Sequence, residues 1–311
     1  MTPRQPTNVA ASVKAKLQNL SESTQRDFNQ LLTAFATERF LYRLSKSDHS
    51  RQFVLKGARL FALWSSKPSR PTRDLDLLGF GDSSPDALRD AIQHICQVPV
   101  PPDGLSFDPA TVAVEEIRAE QEYDGQRVAL IAFLGKARIP LQIDIGFGDA
   151  ITPDPVEADY TPLLDTLPAP RIRVYPRETV IAEKLHAMVF LGQINTRMKD
   201  FYDLYSLATE FTYHGPTLCR AIQATFDRRK TAIPKDTPLC LQDEFAQSAR
   251  SAELWTGFLS RSHLTDSSYA DFQLIVTMLR TFLEPPLLAA GRDEPSFAFN
   301  WCAEKGWQPQ D

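Results

Sequence analysis

Apolar residues recur at three- and four-residue steps through Phe28, Leu31, Leu32 and Phe35, and Phe40, Leu41 and Leu44 continue them. That period predicts a helix starting near Thr24, with Ser23 or Thr24 as its cap. Residues 1–22 carry Pro3 and Pro6 among polar side chains and read as a loose N-terminal arm. After a polar loop, Phe53-Val54-Leu55 predicts a short buried strand. Lys56-Gly57-Ala58 follows it, and Leu60, Phe61 and Trp64 predict a helix beyond the glycine. Asp74-Leu75-Asp76-Leu77-Leu78 alternates as a two-faced strand does. Pro85–Cys96 reads as a helix, and 111–117, 127–134 and 139–147 as strands. Turns at Asp124-Gly125 and Gly135-Lys136 suit an antiparallel meander.

Residues 151–176 hold six prolines and few periodic positions. They read as a surface linker with a short strand near Ile172–Val174. Beyond Pro176 the pattern is helical to the end, apart from loops near 212–216, 231–238 and 285–296. The expected fold class is therefore α+β (mixed α/β). A small mixed β-sheet flanked by helices over 23–175 is followed by a mostly helical domain over 176–311, giving a bilobed chain.

Composition changes this picture only at its margins. The 311 residues suit two domains, and 43% hydrophobic with 23% charged content excludes a largely disordered chain. The longest apolar run, Val128 to Leu134, falls far short of the about 20 residues of a membrane helix. The start has no apolar signal region, and four scattered cysteines lack CxxC spacing, so the expected compartment is cytoplasmic. A net charge of -5 argues against a chain coated in positive charge, while leaving room for a local basic groove.

Three acids carry candidate chemistry: Asp74, Asp76 and Asp144. Residues i and i+2 of a strand share a face, so the first two carboxylates point together. Such a pair repels unless a cation sits between its members. Mg²⁺ suits it, with Mn²⁺ as the alternative ion, because it takes oxygen ligands from one or two carboxylates plus phosphates. Asp144, between Ile143 and Ile145, could complete the set or accept a proton from an attacking hydroxyl. The bland alternative is a solvated DxD at a strand end. The leucines around Asp74 and Asp76 argue against it, since burying acids without purpose is costly. The Gly57 turn between strand and helix would let backbone N–H groups approach a phosphate.

The order strand, glycine, helix, Asp-x-Asp strand, distant Asp strand resembles the DNA polymerase beta-like nucleotidyltransferase superfamily. More closely, the chain resembles the AbiEii toxin family of bacterial abortive-infection toxin–antitoxin systems. The segments that carry this are Glu38–Leu44, Phe53–Ala58, Arg70–Leu77, Gln142–Asp149, Glu178–Met188 and Asn195–Leu204, in consistent order over about 38–210. The resemblance implies a nucleotidyltransferase fold and Asp74, Asp76 and Asp144 as catalytic metal ligands. It implies nucleotide contacts from Lys56, Gly57, Ala58, Arg73 and Lys184. It further implies an NTP substrate, an RNA acceptor such as the tRNA 3′ end, a phage-defence role and a cognate AbiEi-like antitoxin encoded next door. Ala58 stands where the family often has glycine or serine, adding a methyl and removing a hydroxyl.

Glu178 to Leu191 reads as a helix with Lys184 at the edge of its apolar face. A compact ammonium there suits a triphosphate; a snorkelling surface lysine is the alternative. On the next helix Asp200 and Asp203 can share a face. They could hold Lys184 or Lys199, or touch the nucleotide, unless Lys199–Asp203 is simply a surface pair. The resemblance places Lys184, Asp200 and Asp203 in the active site. His186 reads as a supporting residue, and His49, His94, His214 and His263 show no metal spacing. Arg70, Arg73, Arg197, Lys199 and Arg228-Arg229-Lys230 could line a nucleic-acid groove, a run of three charges being more often solvated surface. The alternatives are a transferase acting on a protein or small molecule, and a non-catalytic nucleotide-binding module.

Overall fold

The structure, a computed structural model, describes residues 8–65, 70–72, 74–118, 124–262, 264, 266–292 and 297–310. Arg73, expected at the nucleotide, and His263 lie outside the described residues. The chain divides into two units. The first comprises Met1–Gly148 and Val156–Val174, the second Asp149–Pro155 and Tyr175–Asp311.

The first unit opens with helix α1 (Val9–Thr24), where a loose arm was expected. Asn8 caps it, its Oδ1 accepting from the Ala11 N–H at 3.0 Å, and Val13 and Leu17 are buried. Those two apolar anchors in a polar stretch suffice for packing but give a faint sequence period. Gln25, in the left-handed region at φ 54°, ends α1. Helix α2 (Phe28–Lys46) then starts afresh on an Asp27 cap, not on Ser23 or Thr24. It buries charge as well as apolar surface. Arg43 pairs with Asp103 at 2.7 Å, and Glu38 bonds Arg39 and the Leu163 N–H. Arg39 also reaches the Pro168 carbonyl at 2.9 Å. The Glu38–Leu44 segment thus ties α2 to the proline-rich stretch near 160–170.

Strand β1 (Phe53–Lys56) leads into a 3₁₀ turn (Gly57–Leu60) and the single-turn helix α3 (Phe61–Trp64). Strand β2 (Leu75–Gly79), helix α4 (Pro85–Gln97) and strands β3 (Leu105–Arg118), β4 (Asp124–Leu134) and β5 (Ala137–Phe147) follow. Strands β6 (Val156–Asp159) and β7 (Arg171–Val174) complete a seven-stranded mixed sheet of order β3-β4-β5-β2-β1-β7-β6. Strand β3 begins at Leu105 rather than 111, and its register with β4 shifts between Asp108 and Ala113, around Pro109, whose ring removes a ladder donor. Asp124 and Gly125, expected in a turn, pair within β4 instead. Strand β6 was read as linker because it is a short, exposed strand with no buried face.

In the second unit, α5 (Arg177–Leu191), α6 (Met198–Glu210), α7 (Gly215–Arg228) and α10 (Phe272–Ala290) pack together. The short strand β8 (Tyr213–His214) precedes α7, and α8 (Asp243–Gln247) and α9 (Ala249–Arg261) precede α10. Two expectations fail here. Helix α10 runs through Pro285 and Pro286, where a loop was predicted, because buried Leu279, Phe282, Leu283 and Leu287 hold both sides of the break. The end of the chain is not helical: β9 (Phe299–Cys302) and β10 (Gly306–Pro309) form a hairpin that pairs with β8. Trp301 anchors it, buried and donating to the Ala208 carbonyl at 2.8 Å. Cys96, Cys219 and Cys240 are buried free thiols, and burial pushes them up to about 12, 11 and 12. Among the described residues no helix is long and apolar enough to cross a membrane.

Candidate active site

Strand register in the first unit sets the predicted acids side by side. Lys56 of β1 lies opposite Asp76 of β2, and Asp76 opposite Asp144 of β5. Asp144 in turn faces Arg127 of β4, which faces Glu115 of β3. Cross-strand partners share a face, so one row of charged residues crosses five strands, with the adjacent acids Asp76 and Asp144 flanked by Lys56 and Arg127. Asp74 and Gln142, two residues from Asp76 and Asp144, extend that face by one pleat. The next row, Ile145, Leu77, Leu55 and Val174, is buried on the opposite side. Period-two alternation is what leaves Asp74, Asp76 and Asp144 half-buried rather than sealed.

Gly57 has two reasons to be glycine. Its φ is +74°, and a Cβ there would sit 2.0 Å from the Asp76 Oδ2. The Asp76 carboxylate therefore lies against the turn. Gly57→Ala is expected to displace that carboxylate and to lower activity by about 10²-fold, the scale of a misplaced catalytic group. Circular dichroism should show a folded chain; unchanged turnover would contradict this placement. Ala58 is buried in the same turn.

Two arginines that sequence reasoning missed shape this face. Arg127 grips Asp144 with two parallel bonds, Nε to Oδ1 and Nη2 to Oδ2, each 2.9 Å. The hydrogen bond to Asp144 raises its affinity for its proton, and the charges of Asp144, Asp74 and Glu115 add to this. Gln142 reaches both Asp144 oxygens, at 3.3 and 3.4 Å. Buried Arg59 donates to the Asp74 carbonyl at 3.2 Å and bonds Tyr160, so it fixes the backbone of the first acid. An arginine inside the apolar stretch Gly57–Trp64 was a readable signal for Arg59. Nothing local announced Arg127, whose partner depends on register.

Within the second unit the structure brings Lys184 of α5 to both acids of α6. Its Nζ donates to Asp200 Oδ1 at 2.8 Å and to Asp203 Oδ2 at 2.6 Å. Arg197 donates to the other Asp200 oxygen at 2.6 Å. Both aspartates are almost fully buried, so a solvated Lys199–Asp203 surface pair does not describe them. Burial alone would raise the Asp200 carboxyl, but Lys184 and Arg197 outweigh it and hold it well below the usual carboxylate range.

The same unit contains a second buried polar group. Tyr175, Glu183 and Asp149 cluster around Arg229, which donates to His186 Nδ1 at 3.1 Å. His186 therefore carries its proton on Nε2 and donates it to Thr231 Oγ1 at 2.8 Å. Arg229 thus turns inward instead of belonging to a solvated basic run. Burial and the Arg229 charge, partly offset by Asp149, lower His186 to about 4. A group depressed this way contributes stability above its unfolded value, near 6.5, and that stability is lost as pH falls to about 4. The melting temperature is expected to fall across that window, and His186→Gln should flatten the fall; an equal slope in both proteins would discount His186.

A family model described as the nucleotidyl transferase AbiEii toxin of a Type IV TA system matches residues 39–278. The chain belongs to the AbiEii family. AbiEii membership makes it a nucleotidyltransferase of a toxin family, and the type IV toxin–antitoxin class implies an antitoxin partner. All of Asp74, Asp76, Asp144, Lys184, Asp200 and Asp203 fall inside the AbiEii match. Among solved structures, the chain is similar to JHP933 from Helicobacter pylori at 14% identity and a TM-score of 0.47, covering 79% of this chain and 90% of that one. A second H. pylori structure, described as a candidate nucleotidyltransferase, is similar at 14% identity and a TM-score of 0.46, covering 79% and 92%. No curated protein matches the AbiEii chain significantly.

Proposed function

We propose that this nucleotidyltransferase is Mg²⁺-dependent and transfers a nucleoside monophosphate from an NTP to an RNA hydroxyl, the tRNA 3′ end being the favoured acceptor. The setting would be a bacterial toxin–antitoxin or phage-defence system in the cytoplasm. The observation that carries this reading is the row Lys56–Asp76–Asp144–Arg127, with the Asp76 carboxylate laid against the Gly57 turn.

The donor set fits a hard divalent cation. Asp74 and Asp76 are half-buried oxygen ligands on one strand face, with Asp144 on the neighbouring strand. Among the described residues no three carboxylate, histidine or cysteine side chains already converge as a cage. Asp144 is occupied by Arg127, so we assign the first hold on the ion to Asp74 and Asp76. When bound, the ion would polarise the α-phosphate and neutralise charge on the departing pyrophosphate. The acceptor hydroxyl gives its proton to Asp144 or to solvent and forms the new bond to the α-phosphorus as the bond to the bridging oxygen breaks, and pyrophosphate leaves. Arg127 would exchange Asp144 for a phosphate oxygen, releasing that carboxylate to complete the set. Lys184 is the residue we assign to the triphosphate.

Arg127→Gln follows as a test of the donor set. Removing a cation beside three acids should tighten Mn²⁺ binding several-fold, as read by electron paramagnetic resonance, while turnover falls. Weaker Mn²⁺ binding would contradict the exchange. The function itself is tested by incubating the protein with each α-labelled NTP and with total RNA or total protein. Label in the RNA fraction is expected. Label confined to protein would overturn the RNA acceptor, and no label with any NTP would favour a nucleotide-binding module.

A further inference from the structure

We propose that His49 and His94 form a binding site for an imidazole-preferring divalent transition metal, of the class Cu²⁺, Ni²⁺ or Zn²⁺. The site lies in the first unit and uses none of the residues assigned above to nucleotidyl transfer.

The two histidines are far apart in sequence and carry no metal-site spacing. The fold brings them together. His49 sits in the bend that follows α2, and His94 in the last turn of α4. The His49 Nε2 and His94 Nδ1 atoms are 3.1 Å apart, with ring planes at 86°. Two nitrogens that bind one ion at about 2.05 Å lie about 3.3 Å apart in a tetrahedron and about 2.9 Å apart as a square-planar cis pair. The observed separation falls between these values. An ion entering here needs both rings to turn off the hydrogen-bond axis, so that the two lone pairs aim at one point beside it.

The protonation pattern is already half prepared. His49 Nδ1 lies 2.6 Å from Gln52 Oε1, an atom that can only accept, so His49 carries its proton on Nδ1. Its Nε2 therefore offers a lone pair toward His94. This is the arrangement of a ligating histidine oriented by a carbonyl behind it. His94 must at present donate from Nδ1, and for metal binding it moves that proton to Nε2, which faces solvent. The bend is held by its own backbone: the Ser50 N–H donates to the Ser47 carbonyl at 3.2 Å, and the Gln52 N–H to the His49 carbonyl at 2.9 Å. The His49 N–H also donates to Ser47 Oγ at 3.2 Å. Two ligands on two fixed elements leave the remaining positions of the ion to water. Imidazole nitrogen selects Cu²⁺, Ni²⁺ and Zn²⁺ over Mg²⁺, so Mg²⁺ can occupy the aspartates without competing for this site. A bound ion would staple the 47–52 bend to α4.

The test uses the full metal-free chain, titrated with Ni²⁺ by calorimetry and with Cu²⁺ by electron paramagnetic resonance. In excess Mg²⁺, which competes for the aspartates, the wild type is expected to bind an ion with hyperfine coupling to two imidazole nitrogens. His94→Ala and His49→Ala should each weaken binding by at least tenfold and reduce the coupling to one nitrogen. Gln52→Ala should weaken it several-fold, and His214→Ala should leave it unchanged. Equal affinity in wild type and His94→Ala, or coupling to a single nitrogen in the wild type, would overturn the proposal.

Discussion

Replacing Asp74 and Asp76 together by alanine is expected to abolish both labelled-NMP transfer and growth inhibition. The loss in transfer should be about 10³-fold or more, since removing even one preorganised electrostatic contact commonly costs 10²–10³-fold. The fold should survive. Both side chains are half-buried on the polar face of the sheet, whereas Leu75, Leu77 and Leu78 beside them supply the core. The backbone of the first acid is held through its carbonyl, by Arg59 and Thr72, and alanine keeps that carbonyl. Removing two neighbouring like charges also relieves repulsion. The melting temperature of the double variant should therefore stay within a few degrees of the wild type or rise. Growth inhibition that persists in a folded double variant would sink the mechanism, because toxicity would then come from another part of the chain.

The legibility of this site in the sequence follows from the range of the signals. Period-two alternation around Asp74-Leu75-Asp76 and Ile143-Asp144-Ile145 is local, and it told which side chains share a face. The Gly57 turn was readable as a turn, and its weight came from the order of strand, glycine, helix and acid strands rather than from the glycine alone. Register is not local. It takes a parallel β2–β5 pairing to set Asp76 beside Asp144, and an antiparallel β4–β5 pairing to bring Arg127 onto Asp144. No spacing rule contains that information. His49 and His94 escaped for the same reason. In the second unit, Asp200 and Asp203 were recognisable from one turn of helix, but their burial was not. Hairpin β9–β10 was lost because a few aromatic anchors outweigh the local pattern. Helix α1 shows the opposite case, where two buried residues stabilise a helix that its composition barely signals.

Lys184→Ala is expected to be the most destabilising single change in the second unit. Asp200 and Asp203 are 0% and 1% exposed at the side chain, and one ammonium reaches both. Removing it keeps two carboxylates in the interior with less compensating charge. Breaking a buried ion pair from one side costs about 3–5 kcal/mol. That is a large share of the about 5–15 kcal/mol that holds a typical domain folded. The melting temperature should drop by about 10 °C or more. Loss of activity in this variant alone would therefore say little about nucleotide binding. The decisive protein is the triple variant Lys184→Met, Asp200→Asn, Asp203→Asn. It removes the buried charges together, and replacing a whole buried ionic group is often close to neutral. Arg197 is 46% exposed and can turn its guanidinium to water. Stability should largely return in the triple variant, while NMP transfer stays absent and NTP affinity stays weak. If transfer returned along with stability, the ion triad would be architecture, and the assignment of Lys184 to the triphosphate would fall.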